Sequence, residues 1–122
     1  MEQVDALVIG AGFSGLRALY RLGGIGKRVV VLEASDGIGG VWHHNGYPGA
    51  RCDVESYDYS YSFSPALEQE WRWTERYATQ PEILRYINYV ADRFDLRKDV
   101  LLNTRMANAT LDERAGRWKS MP

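Results

Sequence analysis

A glycine-rich hexapeptide near the start of the chain has the spacing of a phosphate-binding turn. It reads GAGFSG over residues 10–15 and fits the pattern G-x-G-x-x-G. In this pattern the first glycine permits a tight turn, the second leaves room for a diphosphate, and the third lets a helix pack closely on a strand. Free backbone N–H groups at the helix start would bind the diphosphate, because the helix dipole is positive there. The candidate residues are Gly10, Gly12, Phe13, Ser14 and Gly15.

A carboxylate follows at the distance expected of a ribose ligand. Glu33 ends an apolar run 18 residues after Gly15, close to the offset of about 20 residues at which an acid hydrogen-bonds the adenosine ribose. A negative charge there disfavours a 2′-phosphate, so the site favours FAD or NAD over NADP. The alternative is a glycine-rich turn with a merely structural glutamate, and the surrounding pattern argues against it.

The other reactive side chains give weaker signals. His43 and His44 would point in opposite directions in an extended segment, so they cannot chelate one metal, and no metal site is expected. Cys52 follows the cationic Arg51, but a single thiol in a packed loop is more often inert than catalytic. Asp53, judged by its neighbours alone, is typical of a loop cap.

Elements of an α/β fold surround the glycine-rich turn. Residues 5–9 and 28–33 are short runs of branched apolar residues, typical of strands buried on both faces. Residues 13–22 carry apolar side chains at helical spacing, and Gly23 and Gly24 are expected to end that helix. The pattern predicts a βαβ unit with two parallel, neighbouring strands and a right-handed crossover.

A long irregular segment and a second helix come next. Residues 34–65 hold five of the twelve glycines and show no sustained period, which predicts a long functional loop. Thr79 and Glu82 then fit a capping box that opens an amphipathic helix over residues 80–94.

The last part of the chain predicts a third strand and a hairpin. Residues 100–103 are typical of a buried strand, and residues 107–111 and 117–118 flank a turn. The returning strand of this hairpin is predicted to be barely begun where the chain ends. We therefore expect one α/β, Rossmann-like domain over residues 1–122 that binds FAD or NAD, incomplete at its carboxyl end, as the amino-terminal part of a longer protein.

The composition of the chain excludes some classes of binding partner and indicates its cellular compartment. A chain of 122 residues has room for one domain, and 45% apolar residues suit a globular core. The net charge of −1 gives no field for nucleic acid or membrane, and no targeting or membrane-spanning segment is visible, so a cytoplasmic protein is expected. With no basic patch, the aromatic residues are expected to pack in the core or at an interface and not to stack on bases. These aromatic residues are Trp71, Trp73, Tyr77, Tyr86 and Tyr89.

Several further motifs together resemble the flavin-dependent Baeyer–Villiger monooxygenases, most closely the phenylacetone and cyclohexanone monooxygenase type. The resemblance covers nearly the whole chain, and PGARCD at residues 48–53 is its most specific block. Other Rossmann flavoproteins do not place that block there. The matching stretches are GAGFSGL at 10–16, GGVW at 39–42, YPGARCDVESYDYSYSF at 47–63, EWRWTERYATQPEILRYINYVADRFDLR at 70–97 and NTR from 103.

The resemblance implies FAD and NADPH as cofactors and assigns roles to particular residues. Asp53 would be catalytic, as the anion that orients an arginine outside these residues, which in turn stabilises negative charge on oxygen. Arg51, Cys52 and Asp53 would approach the nicotinamide of NADPH. The remaining contacts would be Gly12, Ser14 and Gly15 on the FAD diphosphate, Glu33 on the ribose, Gly39, Gly40, Val41 and Trp42 on the ribityl and flavin side, Tyr59 along the flavin, and the Met106 backbone at the adenine.

The implied reaction uses NADPH and O2 to insert one oxygen atom into a ketone, giving an ester or lactone. Its partners would be the ketone, O2 and the remainder of the enzyme, and most of the NADPH site would lie outside these residues. The chain alone is expected to be inactive. The alternative is a non-catalytic dinucleotide-binding module. An NAD dehydrogenase domain is disfavoured, since Trp42 and the run at residues 51–53 have no obvious use in one.

Overall fold

A parallel β-sheet flanked by helices forms the centre of the molecule. The structure is a computed structural model that describes residues 2–121, so residues 1 and 122 of the expected domain lie outside the described part. The predicted α/β class and the opening βαβ unit are confirmed. The elements are β1 (Ala6–Ile9), α1 (Phe13–Gly24), β2 (Val29–Leu32), α2 (Val41–His44), α3 (Pro65–Glu70), α4 (Gln80–Arg93), β3 (Val100–Leu101), β4 (Asn108–Asp112) and β5 (Arg117–Met121).

The sheet has the order β1-β2-β3, and all three strands are parallel. Ala6 pairs with Val29 in β2, and Val31 of β2 pairs with Val100. Val31 is completely buried, whereas Ile9 at the end of β1 is 54% exposed. The difference follows from position, because β2 has a neighbour on each side and β1 has one on a single side among residues 2–121.

The core lies between the sheet and helices α1 and α4. Aliphatic residues and one tyrosine, at helical spacing, face inward from both helices, as the periodicity predicts. The aromatic side chains surround this core, so the predicted packing role is confirmed for Trp71, Trp73 and Tyr86. The helical core residues are Leu16, Leu19, Tyr86, Ile87, Val90 and Ala91.

The segment over residues 34–65 is irregular, as predicted, but it contains two short helical turns. One is α2, and the other is a 3₁₀ turn over Ser56–Tyr59. The helix α3, which follows this segment, was not predicted. It begins because the Ser64 side chain accepts a hydrogen bond from the Leu67 N–H at 3.2 Å and proline occupies the first turn.

The predicted capping box at the start of α4 is wrong. Thr79 is the N-cap residue, but its side chain makes no capping hydrogen bond. The carboxylate of Glu82 instead accepts hydrogen bonds from the backbone N–H of Thr74, at 2.9 Å, and from the Thr74 hydroxyl. The chain before α4 folds back over the helix, and this tertiary contact takes the place of the local one.

The hairpin is more complete than the sequence suggested. Strands β4 and β5 pair antiparallel over five residues each, from Asn108–Met121 to Asp112–Arg117, so the expectation of a barely begun returning strand is wrong. The hairpin stands apart from the main sheet, and Trp118 on it is 68% exposed. Within residues 2–121, no helix is both long and apolar enough to cross a membrane.

Candidate functional site

The glycine-rich turn leaves β1 at Gly10 and enters α1 with very little space to spare. Gly10 has a φ of +95°, in the region that favours glycine, and its N–H donates to the Leu32 carbonyl at 2.8 Å. A Cβ on Gly15 would lie 1.9 Å from the Gly10 carbonyl oxygen. The strand and the helix can therefore approach this closely only because residue 15 has no side chain.

The amino terminus of α1 presents backbone N–H groups that no capping side chain satisfies. Gly12 is the N-cap residue and has no side chain to offer, and the first turn carries no acidic residue. Its carbonyl already accepts the first helical hydrogen bond, from Leu16 N–H at 3.1 Å. The first N–H groups of the helix, on Phe13, Ser14 and Gly15, thus have the arrangement that binds an anion.

The second pair of glycines packs directly on this turn. The N–H of Gly39 donates to the Ala11 carbonyl at 3.0 Å. Gly40 has a φ of +59°, and a Cβ there would lie 3.1 Å from the Cα of Gly12. The two glycine motifs, 27 residues apart at Gly12 and Gly39, therefore form one surface. We call Gly10, Gly12, Gly15, Gly39 and Gly40 the glycine cradle.

Glu33 lies at the carboxyl end of β2 and is only 7% exposed. One carboxylate oxygen accepts from the Ala11 N–H at 2.7 Å, and the other accepts from the Ser35 N–H at 2.9 Å and the Ser35 hydroxyl at 3.0 Å. Burial alone would raise the pKa of Glu33, but the donors on Ala11 and Ser35 outweigh it and hold the pKa below its ordinary value. Glu33 is therefore an anion beside the glycine cradle, with acceptor capacity left for a hydroxyl group.

The segment after β3 lies along the same edge of the sheet. The Thr104 N–H donates to the Glu33 carbonyl, and the Asn103 N–H donates to the Ser35 carbonyl, both at 2.9 Å. These bonds carry the chain past Glu33 to Met106, which is half-buried and lies between β3 and β4. Met106 is thus brought to the Glu33 end of the site, where the sequence resemblance places an adenine.

Aromatic side chains form a wall next to the glycine cradle. Trp42 donates its indole N–H to the Tyr59 hydroxyl at 2.7 Å, and the Tyr59 ring meets the Phe13 ring edge-on at 5.1 Å. Tyr61 donates its hydroxyl to the Phe13 carbonyl, and burial raises the pKa of Tyr61, so it remains a donor. An open cavity of about 200 Å³ lies here, lined by Phe13, Asp58, Tyr59, Ser60 and Tyr61. Val41, at the start of α2, is 60% exposed.

The PGARCD block is divided between the interior and the surface. Cys52 is buried. Its backbone N–H donates a hydrogen bond to the Ala78 carbonyl at 3.0 Å, and its thiol donates to the Val54 carbonyl at 3.1 Å. Arg51 is exposed and pairs with Glu75 at 3.0 Å. Asp53 is exposed, and no hydrogen bond or ion pair within residues 2–121 reaches its carboxylate. The thiol is inside the packed loop, and the two charged side chains face outward.

The histidine pair differs from the sequence expectation. His43 and His44 lie in the helical turn α2 and not in an extended segment, so their rings meet at 5.5 Å instead of pointing apart. The turn forms because the N–H groups of both histidines bond to the Gly40 carbonyl. His43 Nε2 lies 2.8 Å from Asp36 Oδ1. In the described part of the chain, no three His, Cys, Asp or Glu side chains gather in a way that could hold a metal.

The sequence analysis missed three residues that hold other parts of the site in place, one of them across a long separation. Gln80 is buried and donates its side-chain N–H to the Trp42 carbonyl, which ties the start of α4 to α2. Ser35 holds Glu33, and Asp36 holds His43. No local pattern marks Gln80, since its partner is 38 residues away. Ser35 and Asp36 could have been suspected from their position directly after the Glu33 strand.

Comparison with known proteins places this chain among nucleotide-binding domains. The sequence model of one protein family, the NAD(P)-binding Rossmann-like domain, matches residues 8–73, which is more than half of the chain. A Baeyer–Villiger monooxygenase from Pseudooceanicola batsensis is 47% identical over 115 residues, which cover 93% of this chain and 21% of that protein. The chain thus spans about a fifth of the length of the curated relatives that it matches.

Solved structures match the fold closely. An oxidized steroid monooxygenase bound to NADP is 60% identical, with a TM-score of 0.95, and the match covers 96% of this chain and 22% of that one. A complex of OTEMO with FAD and NADP is 40% identical, with a TM-score of 0.92 and coverage of 99% and 23%. The resemblance to the Baeyer–Villiger monooxygenases and the Rossmann-like fold are therefore confirmed.

Proposed function

Because the chain belongs to the NAD(P)-binding Rossmann-like domain family, we propose that its glycine cradle binds a dinucleotide and that this dinucleotide is FAD. The chain would be the FAD-binding part of a flavin monooxygenase that uses NADPH and O2 to insert one oxygen atom into a ketone. Its proposed partners are the ketone, O2 and the rest of the enzyme. Residues 1–122 are proposed to form the FAD-binding domain of that enzyme. The similarity to a Baeyer–Villiger monooxygenase and to structures holding FAD or NADP supports this reaction.

The observation that carries the proposal is the fit between the cradle and a diphosphate. The N–H groups that open α1 have no capping side chain, and Gly12 leaves the approach to them open. Glu33 lies beside them as a buried anion. A carboxylate at this place accepts a ribose hydroxyl and repels a 2′-phosphate, so FAD suits this site and NADPH belongs at another.

Each part of the site would hold a different part of the cofactor. The N–H groups of Phe13, Ser14 and Gly15 would bind the diphosphate, and Glu33 would accept a hydrogen bond from the ribose. Trp42 and Tyr59, locked together by their hydrogen bond, would form a rigid wall on the flavin side. FAD supplies the redox chemistry when bound, and these residues orient it and exclude water from one side.

Asp53 is the proposed catalytic residue. Its carboxylate is exposed and has no partner within residues 2–121, so it is available to a cation supplied from outside this segment. An arginine held by that carboxylate would be fixed in place before negative charge develops on oxygen. Arg51 is paired with Glu75 and is not the proposed partner.

The test is an FAD titration of the wild-type protein and of Gly12→Ala. A Cβ on Gly12 would lie 3.6 Å from its nearest neighbour, an ordinary contact, so this variant should fold normally while its methyl group obstructs the diphosphate. We expect the wild type to bind FAD only weakly, because the flavin ring would lack protein walls from outside residues 1–122. Gly12→Ala should bind FAD at least about tenfold more weakly still.

The matched control is Gly23→Ala, where a Cβ meets nothing within 4 Å and no cofactor contact is proposed. It should bind FAD as the wild type does. Binding of ADP without uptake of FAD would favour the non-catalytic dinucleotide-binding module. No binding of either compound would contradict the proposed site.

A further inference from the structure

The loop between β2 and α2 is closed by a contact between His43 and Asp36. His43 Nε2 lies 2.8 Å from Asp36 Oδ1, and the bond joins the first residues of the loop to α2. The His43 side chain is 26% exposed and that of Asp36 is 80% exposed. The bond thus forms at the surface, with the ring half inside the loop, and it brackets the glycines between the two residues.

The imidazole ring is seated over bare glycine backbone. A Cβ on Gly37 would lie 2.3 Å from His43 Cε1, and a Cβ on Gly39 would lie 3.2 Å from His43 Cβ. Leu84 of α4 also packs on Gly39, where the same Cβ would be 2.8 Å from its Cδ1. His43 and Leu84 therefore both pack on the backbone of this loop, at positions where a side chain on Gly37 or Gly39 would clash.

The backbone held in this way is also the outer part of the glycine cradle. The Gly39 N–H bonds to the Ala11 carbonyl, and Gly40 packs on Gly12. One end of the loop is thus fixed to the phosphate-binding turn, and the His43 bond fixes the other end. Gly39 and Gly40 lack side chains and adopt positive φ values of 134° and 59°, so the loop needs such outside contacts to keep one shape.

We propose that His43 and Asp36 are positioning residues that preorganise Gly39 and Gly40 for the ribityl and flavin side of the cofactor. The inference rests on the proposed function, since it assumes that FAD lies in the glycine cradle. The proposal predicts that loss of the His43 bond affects the binding of FAD and of ADP differently. ADP would contact only the turn at residues 10–15, Glu33 and the Met106 backbone, whereas FAD would also contact the loop at residues 39–42. Loss of the His43 bond should therefore weaken FAD binding and leave ADP binding unchanged.

The experiment compares FAD and ADP affinities of the wild-type protein, His43→Phe and His43→Gln. Phenylalanine keeps a ring over Gly37 but removes the donor, and glutamine restores a side-chain N–H. The pair is solvent-exposed on one side, so we expect His43→Phe to bind FAD about three- to fivefold more weakly, with ADP affinity unchanged. His43→Gln should recover part of the loss, and Asp36→Ala should weaken FAD binding no further in the His43→Phe background.

The matched control is His44→Phe on the same helical turn, which removes an exposed imidazole with no hydrogen bond in the described part of the chain. It should bind both ligands as the wild type does. Wild-type FAD affinity in His43→Phe, or an equal loss of FAD and ADP affinity, would overturn the proposal. Failure of the unsubstituted protein to bind FAD would instead refute the proposed function, and the positioning role with it.

Discussion

At the scale of single residues, glycine serves different purposes at the two ends of helix α1. At Gly15 it permits contact between α1 and the end of β1, where a Cβ would meet the Gly10 carbonyl oxygen at 1.9 Å. At Gly23, an exposed position in the last turn of α1, a Cβ would meet nothing within 4 Å. The sequence motif marks the first of these positions as essential, and only the structure shows that the second is free.

Substitution of these two glycines by alanine should therefore change stability in opposite directions. Gly15→Ala is expected to lower the free energy of unfolding by about 1–3 kcal/mol or more, since backbone must move to admit the methyl group. Gly23→Ala should raise it by about 0.5–1 kcal/mol, because alanine is the better helix former. Urea denaturation of both variants measures the difference, and equal effects would contradict the packing of α1 on β1.

Glu33 gives a prediction of pH dependence. Its pKa is held below the ordinary value of 4.5, so its contribution to stability is fully present above that pH and is lost as the pH falls through the lower, folded-state value. Glu33→Gln cannot titrate and should be less stable than the wild type at neutral pH. The gap between the two proteins should shrink on acidification, as urea denaturation at several pH values would show. A constant gap would mean that the charge of Glu33 is not held by Ala11 and Ser35.

Spacing alone singled out Gly15 and Glu33. The close packing of α1 on β1 at Gly15 and the position of Glu33 beside the turn agree with that spacing, while the ribose contact of Glu33 stays a prediction. The partners of Glu33 could not be predicted. Its bond from Ala11 depends on how the turn is folded, and that is a property of three dimensions and not of spacing.

At the scale of elements, the start of α4 shows a tertiary contact replacing a local one. The spacing of Thr79 and Glu82 matches a capping box, yet Glu82 bonds to Thr74 and the Thr79 side chain caps nothing. The helix was still predicted to within one residue at its end, because its apolar periodicity and its tertiary packing agree. Helix α3 escaped prediction, since its six residues are too few to show a period.

Two alanine substitutions separate the local and the tertiary role. Thr79→Ala should change the free energy of unfolding by less than about 0.5 kcal/mol, because no capping bond is lost. Glu82→Ala should lower it by about 1–3 kcal/mol, since the Thr74 N–H loses its acceptor and a buried side chain is removed. Comparable losses in both variants would indicate that the capping box forms in solution. Thermal and urea unfolding of Thr79→Ala and Glu82→Ala would measure both changes. Ser64→Ala is the reference variant, because it removes an observed capping hydrogen bond and should lower the free energy of unfolding by about 1 kcal/mol.

At the scale of the whole molecule, burial is uneven. β2 lies in the middle of the sheet and is buried, β1 carries the exposed Ile9, and the hairpin β4–β5 stands apart with Trp118 and Met121 largely exposed. Parallel sheets normally have both faces covered by other parts of the protein. An isolated two-stranded hairpin is only marginally stable in water. The sequence predicted the strands, but it could not show that their protection would differ so much.

Hydrogen exchange should follow this order. The backbone amides of β2 are expected to exchange slowest and those of β4 and β5 fastest among the strands, because local opening of the hairpin exposes little apolar surface. Mass-spectrometric or NMR exchange rates would measure it. Protection of the hairpin equal to that of β2 would show that the hairpin is covered in solution.

The central claim is that the bare amino terminus of α1 binds the diphosphate of FAD. The most direct measurement is an ¹⁵N–¹H NMR titration of the protein with FAD. We predict the largest shifts at the backbone amides of Phe13, Ser14 and Gly15, with further shifts at Gly40 and Met106, and none at the hairpin turn over residues 113–116. Shifts that leave the start of α1 untouched while FAD binds elsewhere on the chain would contradict the account.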